Sequence, residues 1–97
     1  MKFEWDDRKN ALNQEKHGCN FADVPEMFLY ERLEMRDDRK DYGESRFIVM
    51  GYISNRAMVA VITIRGTGTI RIISLRKANN REKERFEKVI RDRLGKG

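Results

Sequence analysis

Residues 64–82, IRGTGTIRIISLRKANNRE, decide how this chain folds. An apolar strand ends at Arg65, and Gly66-Thr67-Gly68 supplies residues that tolerate positive φ, which predicts a sharp reversal. A second strand runs from Ile70 to Lys77, and Asn79-Asn80 then opens a charged helix with Arg81 and Glu82 in its first turn. That strand carries Arg71, Arg76 and Lys77 among apolar residues, with Ser74 between them. Burial alone gives no reason for three cations in eight residues. Cations fixed on a sheet beside a hydroxyl suit a phosphodiester.

Working outward, Arg46 to Ile53 and Ala57 to Arg65 read as strands joined by a turn at Ser54-Asn55-Arg56. With Ile70–Lys77 they predict an antiparallel meander holding most of the core. Leu33 and Met35 suit a short edge strand, and the charged run from Arg36 to Glu44 reads as a solvent-facing loop. The final helix, about Asn79 to Leu94, aligns Phe86, Val89, Ile90 and Leu94 on one stripe. It is expected to pack across the sheet and leave the opposite face for something else.

Toward the N-terminus, Lys2 to Trp5 alternates like a short strand. Asp6 is suited to cap a helix running to His17, and Gly18 to end it in the left-handed region. That helix offers little apolar surface beyond Ala11 and Leu12, so its stability must come from one narrow contact and its caps. A second helix carries Phe21, Val24, Met27 and Phe28, and Pro25 is tolerated only if the regular part begins near Asp23. The expected fold is α+β: an antiparallel meander with two N-terminal helices and one C-terminal helix packed on it.

Only 39% of the 97 residues are hydrophobic, which limits the core to a thin sheet-and-helix sandwich and predicts one domain over residues 1–97. Charged residues make up 38%, the net charge is +5 and the pI is near 9.6. Such a surplus favours nucleic acid, an anionic surface or an acidic protein as partner. Cys19 is the single cysteine, so no internal disulfide forms and a reducing compartment is the natural home. No apolar leader follows Met1-Lys2, and the longest apolar stretch, Met58 to Ile64, is too short to span a bilayer. The chain reads as soluble and cytoplasmic. One histidine and one cysteine give poor support for a metal, so no metal and no cofactor are expected.

Strict alternation puts Ile70, Ile72, Ser74 and Arg76 on one face of the last strand, and Arg71, Ile73, Leu75 and Lys77 on the other. Arg71 and Arg76 either pair with Glu44, Glu82 or other carboxylates, or hold phosphates. His17, the only histidine, is either a capping imidazole at a helix C-terminus or a general acid or base. Its neighbour Lys16 favours the neutral imidazole and adds a phosphate contact.

Three ordered blocks resemble the BrnT family of toxins. They are Trp5-Asp6, Lys9, Asn13, Lys16-His17-Gly18 and Phe21; then Gly43-Glu44-Ser45-Arg46-Phe47; then Arg71-Ile72-Ile73-Ser74-x-Arg76-Lys77-Ala78 with Arg81-Glu82 and Phe86. The resemblance implies a RelE-like fold and an endoribonuclease toxin that cleaves RNA without a metal. It also implies a cognate antitoxin carrying a ribbon-helix-helix part, with operator DNA bound only through that antitoxin. On this resemblance His17, Arg65, Arg71 and Arg76 are the catalytic candidates. Lys16, Arg46, Ser74, Lys77 and Arg81 are the RNA-binding candidates, with Glu44 and Glu82 as support. Three positions depart from the pattern: Lys40 where histidine is frequent, Asn79 in place of threonine, and Pro25 in a helix that is usually alanine-rich. The rival readings are a basic module that binds nucleic acid without cleaving it, and a structural partner of another protein.

Overall fold

The sheet forms where β-branched and aromatic residues alternate, and its turns fall where positive φ is affordable. In the computed structural model, which describes residues 1–95, strands β1 (Lys2–Glu4), β2 (Leu33–Arg36), β3 (Arg46–Ile53), β4 (Arg56–Arg65) and β5 (Thr69–Lys77) form one sheet in the order β1-β5-β4-β3-β2. Ser54 and Asn55, with φ of 48° and 65°, make a two-residue hairpin between β3 and β4, so Arg56 already belongs to β4. Gly66 and Gly68 take positive φ in the reversal before β5.

The sheet is mixed, which corrects the all-antiparallel expectation. The meander β2 to β5 is antiparallel, but β1 pairs parallel to β5, with Phe3 opposite Ile70. β1 satisfies only the first part of the outer edge of β5. Helix α1 (Asp7–His17) takes over further along, and it does so through an amide. The buried Asn13 side chain accepts from Leu75 N–H (3.2 Å) and donates to Leu75 C=O (2.7 Å) and Cys19 C=O (3.0 Å). Asn10 likewise accepts from Phe21 N–H at 2.9 Å. Leu12 and Ala11 are exposed, so the narrow contact that docks α1 is polar rather than apolar. Asp6 caps the helix and Gly18 closes it at φ 67°.

A 3₁₀ turn (Phe21–Asp23) leads into the short helix α2 (Val24–Met27), with Asp23 at its N-cap and Pro25 in its first turn. Phe21, Val24 and Met27 bury one sheet face together with Val49, Ala60, Ile62, Ile72 and Leu75. Helix α3 (Asn80–Gly95) lies on the other face, anchored by Phe86 and Ile90 against Met50, Ala57 and Val59. Both faces are therefore covered, the one opposite α3 by the 3₁₀ turn and α2. Phe86 packs on Tyr52 at 5.1 Å, whereas Val89 is only half-buried and Leu94 is exposed. Because so few side chains anchor α3, part of its own sheet face stays open beside its N-terminal turns.

The loop between β2 and β3 is not wholly solvent-facing. Asp37 is buried, donates its N–H to Arg46 C=O at 2.8 Å, and grips the Arg39 guanidinium at 2.7 and 2.8 Å.

Candidate functional site

A single irregularity in β5 builds the site. Val61 pairs with Ser74 and Ile62 with Ile72, so Ile73 is an extra residue bulged out of the ladder. The bulge resets the alternation. Ile70, Ile72 and Leu75 enter the core, while Arg71, Ser74 and Arg76 all come to the α3 face, and the strict-alternation expectation is corrected accordingly. Three rows now cross that face: Arg46–Thr63–Arg71, Ile48–Val61–Ser74 and Met50–Val59–Arg76. The outer rows are four β4 residues apart, about 13 Å.

The last two rows form the floor of a cleft of about 620 Å³. Its floor is apolar, from Met35, Ile48, Met50, Val59 and Val61, with Ser74 the hydroxyl among them. Its walls carry the cations Lys16 from the end of α1, Arg39 from the loop, Arg76 from β5, and Arg81 and Arg85 from α3, with the His17 imidazole beside Lys16. The half-buried His17 gets there because Asn13 clamps α1 to the β5 edge four residues earlier.

Glu82 orders this wall. Its N–H donates to the Asn79 side-chain oxygen (2.8 Å), and its carboxylate accepts from the Asn79 N–H (2.9 Å), a reciprocal cap of α3. The same carboxylate holds Arg76 in a fork at 2.7 and 2.8 Å. Those hydrogen bonds from Arg76, with the Asn79 N–H adding to them, pull the Glu82 carboxyl down to about 2 and raise Arg76. Arg39 in the same way pulls Asp37 down to about 2. Lys16, Arg81 and Arg85 pair with no carboxylate among the described residues.

The structure thus brings Lys16, His17, Ser74, Arg76, Arg81 and Glu82 together at one cleft. Arg46, Arg65 and Arg71 are not among its lining residues; Arg46 and Arg71 belong to the outer row of the same face. There Arg71 pairs with Glu4 at 2.6 Å, while Glu44 takes Arg46 at 3.2 Å and Arg65 at 3.7 Å. Arg46 also stacks on Tyr42 at 4.0 Å. Lys77, beyond the bulge, belongs to the opposite side and lines a separate hollow with Arg56 and Cys19. Sequence reasoning missed Arg39 and Arg85. Arg85 stands four residues after Arg81, so helical spacing alone could have found it. Arg39 had only the Asp37-x-Arg39 spacing as a signal. Among the described residues no group of three His, Cys, Asp or Glu side chains is placed to hold a metal.

The fold matches the 1.1 Å crystal structure of the Brucella abortus ribonuclease toxin BrnT, with a TM-score of 0.65 and 28% identity over 82% of this chain and 99% of that one. The pattern of the family described as the ribonuclease toxin BrnT of type II toxin–antitoxin systems matches residues 5–82. The chain belongs to this BrnT family of ribonuclease toxins. No curated protein matches it.

Proposed function

We propose that this chain is a RelE-like, metal-independent endoribonuclease acting as one domain in the cytoplasm. It would inhibit translation by cutting RNA, and a cognate antitoxin with a ribbon-helix-helix part would neutralise it and carry it to operator DNA. The convergence of His17, Ser74 and Arg76 on one cleft with an apolar floor supports this reading best.

The reaction joins the RNA 2′-oxygen to phosphorus and breaks the bond to the 5′-oxygen, leaving a 2′,3′-cyclic phosphate and a 5′-hydroxyl. A base must take the 2′ proton, an acid must supply the 5′-oxygen, and the phosphorane charge must be stabilised. His17 is assigned one of these two proton transfers, as base or as acid, because imidazole exchanges protons near neutrality. Arg76, oriented by Glu82, faces the phosphorane. Lys16, Arg39, Arg81 and Arg85 hold the flanking phosphates, and the floor accepts a base lifted from its stack. Arg71, Arg65 and Arg46 guide the strand further along the sheet, with Glu4 and Glu44 holding them ready.

Purified chain, free of antitoxin, incubated with RNA in excess EDTA tests the reading. Cyclic-phosphate ends are expected, with no cut where a 2′-deoxy nucleotide replaces the one before the scissile bond. Intact RNA that is nonetheless retained by the protein in a salt-sensitive way would favour the non-cleaving module instead.

A further inference from the structure

A second concavity lies at the other end of α3, between its last turns, the end of α2 and the β3–β4 hairpin. It holds about 480 Å³ and is lined by Glu26, Tyr30, Glu31, Tyr52, Ile90 and Leu94 together with hairpin residues. Ile90 and Glu82 are eight residues apart on α3, so the groove sits about 12 Å along the helix from the cleft. Two of its residues, Tyr30 (55% exposed) and Leu94 (66% exposed), are among the large apolar side chains left in water, and Leu29 beside Tyr30 is another at 74%. Exposed apolar side chains gathered at one groove mark a contact surface.

Charge decides which kind of partner fits. In a chain of net charge +5, this groove has two carboxylates and no Lys or Arg among its lining residues. The cleft has the reverse composition, with Lys16, Arg39, Arg76, Arg81 and Arg85 against the single carboxylate Glu82. RNA would be repelled from the groove. Glu26 is held by the Ser54 N–H at 2.7 Å, and Glu31 is reached only at 3.4 Å by Arg93, so Glu31 keeps acceptor capacity at the rim. The Tyr30 and Tyr52 phenols can bond the backbone of an incoming polypeptide, while their rings and Leu94 take its apolar side chains.

We propose that this groove anchors the antitoxin, which docks there a segment combining apolar side chains with Lys or Arg. The anchor is separate from the cleft, so partner recognition and active-site blockage are different contacts of one polypeptide. The partner's existence rests on the family's toxin–antitoxin character and on the function proposed above.

The test titrates the purified chain with its antitoxin by calorimetry, comparing wild type with Tyr30→Ser/Leu94→Ser and with Leu94→Lys. Losing two anchors of this kind is expected to weaken the affinity by about thirtyfold or more. The exposed Leu94→Lys change should weaken it by charge repulsion without disturbing the fold. Free variants should keep the wild-type rate of RNA cleavage. Unchanged antitoxin affinity in both variants would overturn the proposal, as would loss of self-association in place of antitoxin binding. Wild type that cuts no RNA but binds antitoxin in a groove-dependent way would sink the nuclease reading and leave the groove standing.

Discussion

Glu82→Gln removes one negative charge while keeping nearly the same shape, and it should expose how the Arg76 wall is held. In the native chain the carboxyl is lowered from 4.5 to about 2, chiefly by the Arg76 fork and then by the Asn79 N–H. A displacement of that size corresponds to about 3 kcal/mol at most. The Arg76 side chain is 41% exposed and the Glu82 side chain 21%, so solvent screening reduces the expected contribution to about 1–2 kcal/mol. The sign follows from a depressed carboxyl. Its stabilisation is fully present above 4.5 and is lost as the pH falls through about 2. Urea denaturation of both proteins at a series of pH values reads this directly. The variant should be about 1–2 kcal/mol less stable at pH 7, and the gap should narrow steadily below pH 4.5. A gap that stays constant down to pH 3, or no gap at pH 7, would refute the reasoning.

Three further outcomes follow from particular contacts. Asn13→Ala leaves the Leu75 N–H and C=O without their side-chain partners, and urea denaturation should show a loss of about 2–4 kcal/mol. Gly51→Ala sets a Cβ 3.3 Å from the Met27 Cβ and 3.4 Å from its carbonyl, so a cost of about 1–2 kcal/mol is expected in the same assay. Arg71→Ala removes one proposed phosphate contact, and the slope of log affinity against log salt for single-stranded RNA should fall by about 0.7.

Most elements were legible because their signals are local. Asp6 and Gly18 bracket α1, Pro25 fixes where α2 starts, and the glycines of 66–68 fix the reversal before β5. The parallel pairing of β1 was not legible, since nothing in Lys2–Glu4 specifies a partner almost seventy residues away. The bulge at Ile73 was equally hidden: an isoleucine fits a regular strand, and only the packing of Leu75 beside Ile72 reveals the reset. That reset gathers Arg71, Ser74 and Arg76, so the cluster was legible in composition while its face was not. The docking of α1 by Asn13 escaped notice because a buried amide in a polar helix has no periodic signature.

On the function proposed, RNA is cut in the cleft between β5 and α3. Single-turnover cleavage of one RNA in EDTA by wild type, Arg76→Ala and Arg71→Ala, each shown to be folded, tests this most directly. Arg76→Ala should lose about a hundredfold or more in the rate at saturating protein, whereas Arg71→Ala should lose mainly affinity. An Arg76→Ala chain cutting at the wild-type rate, with Arg71→Ala inactive, would move the chemistry to the outer row and contradict the account.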